Sequence, residues 1–244
     1  MENEIKKVDQ FAIARAEDVS GVIERNLGGE PLTPHDLPTV KVPGGAATAW
    51  TVPSSSGDQS TPDLIGVIVF TKLTRAWYEQ SFDESGGGVP PDCSADDGLH
   101  GVGIHAESCG GICARCKHSQ WGSSRDGRGG QDCQTRRPIF ICRESDMLPI
   151  MVAIPAGSMK TAKKYLTSLA FEGYDYHAVL SRLTLAEARS RQGNIRYSQV
   201  QFENLGVLPD KVQKRFGDVR QKLTPMLSSM RSVDVEAAAS TPDA

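Results

Sequence analysis

The chain has 244 residues, enough for one large domain or two small ones with a sizeable buried core. Hydrophobic residues make up 39% and charged residues 23%, as in a soluble globular protein. The net charge of −3 excludes a chain that is basic throughout, but nucleic-acid binding stays open because the distribution of charge matters more than its sum.

The opening residues Met1 to Lys7 lack the apolar stretch of a secretory signal, so a reducing cytoplasm is expected. Six cysteines in that setting read as thiols or metal ligands rather than disulfides. Residues 1–36 form a weakly helical N-terminal arm, broken by Gly28-Gly29, Pro31 and Pro34. Between Leu37 and Val52, Pro43-Gly44-Gly45 punctuates short apolar runs, which predicts a hairpin or two short strands. Ser54 to Pro62 reads as a polar loop. Asp63 to Thr71 is β-branched and apolar on both faces, the pattern of a central strand. Its apolar run, Leu64 to Phe70, is far too short to span a bilayer, and no membrane partner is expected.

From Asp83 to Asp132 the chain is rich in Gly, Pro, Ser and Asp and lacks periodicity. A stretch of that length needs something else to order it inside a compact domain. Four cysteines lie within it and Cys133 closes it. Charge steps across it: residues 79–107 carry seven acids and no Lys or Arg, whereas residues 115–143 carry seven bases against Asp126 and Asp132. That step predicts surfaces of opposite potential. Pro138 to Cys142 and Leu148 to Ile154 then read as strands, and Cys142 as a buried small hydrophobe. Ser158 is placed as the cap of a helix carrying Ala162, Tyr165, Leu166 and Leu169 at helical spacing and ending at Gly173. Tyr176 to Leu185 and Ile195 to Phe202 form a further strand pair, and a helix runs from Pro209 to about Met230. The small, acidic end, residues 232–244, is expected to be disordered.

Cys113 and Cys116 form a C-x-x-C turn, with Cys133 sixteen intervening residues downstream. Such a turn points two thiolates at one ion, and tetrahedral zinc needs two more ligands from elsewhere. Cys133 supplies one. The fourth is Cys93 or Cys109, with His100, His105 and His118 as weaker candidates. Cys93 is preferred because Cys109 would crowd the C-x-x-C turn, whereas Cys93 sits in a polar turn that can approach from across the insertion. Bound zinc would supply ~10 kcal/mol or more of the folding free energy this stretch lacks. A redox dithiol fits less well because no thioredoxin-like βαβ pattern surrounds the pair. No H-E-x-x-H, phosphate-cradling loop, nucleophile elbow or paired-carboxylate motif is present, so no enzymatic activity is expected.

The run Cys113 to Ser123, the run Gly127 to Cys133, and Arg136-Arg137-Pro138-Ile139-Phe140 resemble phage and mobile-element proteins. Those proteins are similar to single-stranded DNA-binding proteins with an OB-type barrel and a zinc-ribbon insertion. The likeness covers roughly residues 64–205 and extends to Leu148–Pro155 and the helix after Ser158. This chain departs from the group in having Cys109, and in having Lys117 where a proline is expected.

The resemblance implies a strand-rich α+β fold: an OB-like core over residues 37–205, a zinc-ribbon insertion at about 83–135, a C-terminal helix over 206–231 and a tail. It implies a structural zinc on Cys93, Cys113, Cys116 and Cys133, and single-stranded DNA as partner in replication or recombination within a bacterial host cell. The acidic tail (Asp234, Glu236, Asp243) would recruit partner proteins. Aromatics interleaved with cations suit a sequence-tolerant binder, bases stacking on rings while cations follow phosphates. That chemistry selects Trp77, Tyr78 and Trp121 for stacking, and Arg75, Arg136, Arg137, Lys160 and Lys164 for phosphate contacts. The competing reading is a zinc-ribbon protein-interaction module or transcription accessory factor that does not touch DNA.

Overall fold

The computed structural model describes residues 19–80, 89–104, 106–125, 129–144, 146–190 and 195–240. Within them the fold is α+β and dominated by antiparallel strands. The strands are β1 (Thr39–Val40), β2 (Trp50–Val52), β3 (Gln59–Thr61), β4 (Asp63–Thr71), β5 (Thr74–Trp77), β6 (Cys93–Ala95), β7 (Val102–Gly103), β8 (Gln134–Cys142), β9 (Ile150–Ile154), β10 (Val179–Arg189) and β11 (Arg196–Val207). Four α-helices accompany them: α1 (Val19–Leu27), α2 (Met159–Phe171), α3 (Asp210–Ser228) and α4 (Ser232–Ser240). No described helix is long and apolar enough to cross a membrane.

A nine-stranded sheet runs β11-β10-β4-β8-β5-β6-β7, with β9 on the other edge of β8 and β1 beyond it. β1 and β9 are parallel; the remaining pairs are antiparallel. β4 pairs through residues 63–66 with β10 and through residues 67–71 with β8. Gly66 sits at this handover, where an added Cβ would lie 2.3 Å from the Cys142 carbonyl oxygen; only glycine lets the strands approach so closely. The β4–β8 register then continues from Thr71↔Ile139 to Thr74↔Arg136, so β4 and β5 lie along one edge of β8. The described residues between 78 and 133 therefore extend from the end of one long antiparallel ribbon. Among the described residues the pairings do not close into a barrel.

The centre of the sheet is buried on both faces because its side chains alternate between two cores. Ile139, Ile141, Ile150, Val152 and Ile154 pack with Ala162, Tyr165 and Leu169 of α2. Phe140, Cys142, Met151 and Ala153 pack on the opposite side with Phe216 and Leu227 of α3 and Val235 of α4. Two buried polar contacts tie the core together: Trp50 Nε1 donates to the Leu183 carbonyl at 3.2 Å, and the Tyr165 and Ser181 hydroxyls bond at 2.7 Å. Lys72 caps the far end of α3, donating to the carbonyls of Ser228 (3.0 Å) and Met230.

Of the two alternatives for residues 37–52, the structure has the two short strands: β1 joins β9 and β2 pairs with β3. Several other expectations need correction. β3 occupies part of the expected 54–62 loop. The Ser158 hydroxyl makes no cap to α2 and instead accepts the Val200 backbone N–H at 2.9 Å, fastening the helix start to β11. Residues 232–240 are helical rather than disordered. Val235 is fully buried there, and the Glu236 carboxylate accepts from Arg136 Nε at 3.0 Å. Asp234 accepts the Arg231 backbone N–H at 2.8 Å, so two of the three tail acids are used internally. Residues 1–18 of the expected arm and 241–244 of the tail lie outside the described residues.

Candidate metal centre

The ribbon tip gathers the cysteines by backbone hydrogen bonds. β6 pairs with β5, setting Cys93 opposite Trp77, and β7 sets Gly103 on the other side of Cys93. The C-x-x-C segment is a 3-10 turn in which Cys116 N–H donates to the Cys113 carbonyl at 3.1 Å. Cys113 N–H in turn donates to the Leu99 carbonyl at 2.9 Å, tying the turn to the β6–β7 side. Cys133 N–H donates to the His118 carbonyl at 2.9 Å. The Ser119 hydroxyl, buried beneath the turn, donates to the carbonyls of Cys113 and Cys116.

Cys93, Cys109, Cys113, Cys116 and Cys133 all line one cavity, together with Arg75, Trp77 and His118. A Cβ added at Gly101 would lie 3.4 Å from Cys93 Sγ and 3.7 Å from Cys113 Sγ, so those two sulfurs flank a common point. Among the described residues no three His, Cys, Asp or Glu side chains stand in a ready-made metal-holding arrangement. What fits zinc is the donor set, five thiols from three chain segments lining a partly buried space. Burial pushes the Cys133 thiol up to about 12, partly offset by Arg75, and burial likewise raises Cys113. Thiolates there need a cation, and a coordinated Zn²⁺ deprotonates its thiols outright. Arg75 would offset the net negative charge of a four-thiolate zinc site.

Cys93 and Cys109 differ in how they face the other thiols. Cys93 Sγ and Cys113 Sγ flank the same point beside Gly101. Cys109 Sγ donates to the Ala106 carbonyl at 3.4 Å, within its own 3-10 turn. Cys93 thus stands beside Cys113, and Cys109 lines the same cavity. Of the weaker candidates, His100 is exposed and bonded to Asp97 at 2.6 Å, and His105 lies outside the described residues.

Asp132 organises the wall beside the cysteines. Its carboxylate accepts from Trp77 Nε1 at 2.6 Å and Arg125 Nε at 2.8 Å, and bonds His118 Nδ1 at 3.0 Å. Burial raises its carboxyl, but these three bonds outweigh burial and hold it below the usual carboxylate range. The His118 ring lies 4.4 Å from Trp77, centroid to centroid, and the Arg125 guanidinium sits 5.5 Å over the same indole. Sequence reading missed Asp132 and Arg125; the position of Asp132 directly before Cys133 was the only available signal.

This wall revises the expected nucleic-acid residues. Trp77 is 5% exposed and packs in the cysteine wall, so its face is not offered to a base. Arg75 donates to the Gly98 carbonyl at 2.9 Å and to Thr135 Oγ1 at 3.3 Å, and Arg136 is paired with buried Glu236. Tyr78 is half-buried; burial and Glu236 raise its hydroxyl. Arg137 is largely buried, which lowers its guanidinium, and its Nε has no hydrogen-bond partner among the described residues. Trp121, in contrast, is 69% exposed and does not line the cysteine cavity. Lys160 and Lys164 are exposed on α2. Arg125 of the basic run donates to the backbone carbonyls of Tyr78 and Glu79, where the acidic run begins. No family model, curated protein or solved structure matches this chain.

Proposed function

We propose that this chain is a zinc-containing, sequence-tolerant single-stranded DNA-binding protein, acting without catalysis in replication or recombination of a phage or mobile element in a bacterial cell. In this reading the antiparallel sheet is an opened, OB-like body, and residues 78–133 are its zinc-ribbon insertion. Zinc held by Cys93, Cys113, Cys116 and Cys133 would be structural, with every position filled by thiolate.

The observation that carries the proposal is Trp121, 69% exposed on the run between Cys116 and Cys133, with exposed Arg115 and Lys117 close by in sequence. An exposed aromatic with nearby cations suits base stacking plus phosphate attraction. The test is fluorescence anisotropy with single- and double-stranded DNA of equal length at two salt concentrations. Single strands should bind more tightly and lose affinity steeply with salt. Trp121→Ala should weaken binding about five- to a hundredfold without changing zinc content. Equal affinity for duplex, or no binding at low salt, refutes the proposal.

One observation favours the protein-interaction reading. Leu99, Val102 and Ile104 are 60%, 75% and 65% exposed on the same insertion, an apolar cluster with no use in phosphate binding. If oligonucleotides fail to bind while Val102→Asp abolishes a protein complex, that reading replaces the first.

A further inference from the structure

Helix α2 has a second face that the fold does not use. Ala162, Tyr165 and Leu169 point into the core, and the helix packs on β11. On the other side Lys160, Lys163, Lys164, Thr167, Ser168 and Phe171 line one open concavity. Their spacing of three and four residues places them in a single stripe, about 16 Å long at 1.5 Å per residue. The three lysines are exposed, and the stripe ends at Phe171, which is 88% exposed, the most exposed large hydrophobic described. Phe171 lies out of phase with the buried stripe, so packing does not explain its identity.

We infer that this face of α2 is a second contact track for single-stranded DNA, with Phe171 as a stacking platform and Lys160, Lys163 and Lys164 as phosphate contacts. The inference rests on the proposed function, and it adds a site separate from Trp121. Charge complementarity selects the occupant: the stripe itself carries three cations and no acid, with Glu172 following just beyond it. A polyanion with π-faces satisfies both the lysines and the ring. A membrane surface fits poorly, because the apolar face such a helix would insert is already buried in the core. Thr167 and Ser168 keep the middle of the stripe low and polar, leaving room for a backbone to pass between lysines and ring. The Ser168 hydroxyl turns back to the Tyr165 carbonyl at 2.8 Å.

The experiment uses the full chain, loaded with zinc, and a fluorescein-labelled oligothymidine. Phe171→Ala should weaken binding about five- to a hundredfold, the range for removing one stacked base. Lys163→Ala combined with Lys164→Ala should lower the slope of log affinity against log salt by roughly 0.7 for each phosphate no longer neutralised. Melting temperature and zinc content should match wild type, since all three side chains are exposed. Wild-type binding with Phe171→Ala and the lysine variant unchanged overturns this track and leaves the proposed function standing. A wild type that binds no oligonucleotide overturns both. Co-sedimentation with vesicles of anionic lipid that depends on Phe171 overturns the assignment of DNA as occupant. Crosslinking of Phe171 to an oligonucleotide containing 5-iododeoxyuridine supports it directly.

Discussion

Replacing Cys93 and Cys109 one at a time by serine separates the two possible fourth ligands. Structural zinc binding is worth roughly 10–16 kcal/mol, so each of four thiolates carries about 3 kcal/mol, or two to three powers of ten in affinity. Cys93 is set in β6 between Trp77 on β5 and Gly103 on β7, and its Sγ shares the point beside Gly101 with Cys113 Sγ. Cys109 is held in its own turn by the Ala106 carbonyl. Zinc affinity measured by competition with a chromophoric chelator should therefore fall about a hundredfold or more in Cys93→Ser and stay near wild type in Cys109→Ser. Cys113→Ser, Cys116→Ser and Cys133→Ser should behave like Cys93→Ser. Full zinc retention in Cys93→Ser with loss in Cys109→Ser would refute the ligand assignment, and no zinc in wild-type protein would refute the centre.

Truncation after Arg231 removes the buried Val235 and leaves Arg136 without Glu236, costing roughly 2–4 kcal/mol. Calorimetry should show the melting temperature down by about 5–15 °C; an unchanged value would mean that α4 does not pack on the sheet. Cys142 and Tyr165, each pushed by burial to about 12, stay protonated in the fold after the unfolded chain has begun to ionise. The unfolded state then binds fewer protons, so stability should fall as pH rises from about 9 toward 12. In the same samples, iodoacetamide at pH 8 should leave Cys142 unmodified until denaturant is added; rapid labelling in the native state would contradict its burial.

The parts of the fold that were legible in the sequence are those where one physical signal dominates. Asp63 to Thr71 is apolar on both faces because two helical layers cover it, and its place between β10 and β8 follows. The helix at 159–171 kept its buried stripe, and the expected strand pair is present as β10–β11, with each strand running four or five residues beyond its expected C-terminal end. The cysteines were legible as a group because their chemistry does not depend on fold. Trp77 and Arg75 were not legible as wall residues, because an aromatic beside a cation has the same local pattern whether it faces a base or a buried carboxylate. Their use is decided by Asp132 and Thr135, more than fifty residues away. The helix at 232–240 escaped notice for a similar reason. Its alanine-rich, weakly amphipathic sequence carries little pattern of its own, and the packing of Val235 and the Arg136–Glu236 pair hold it in place.

The contacts of α4 also set an order of events during synthesis. Ser232 N–H donates to Asp96 in the ribbon tip at 2.7 Å, and Glu236 holds Arg136 on β8. These partners are synthesised 136 and 100 residues before their contacts in α4, a delay of roughly 5–27 s at about 5–20 residues per second. During that interval Asp96 and Arg136 are made but lack the contacts that α4 brings. The last described helix therefore completes pairings with residues synthesised well before it.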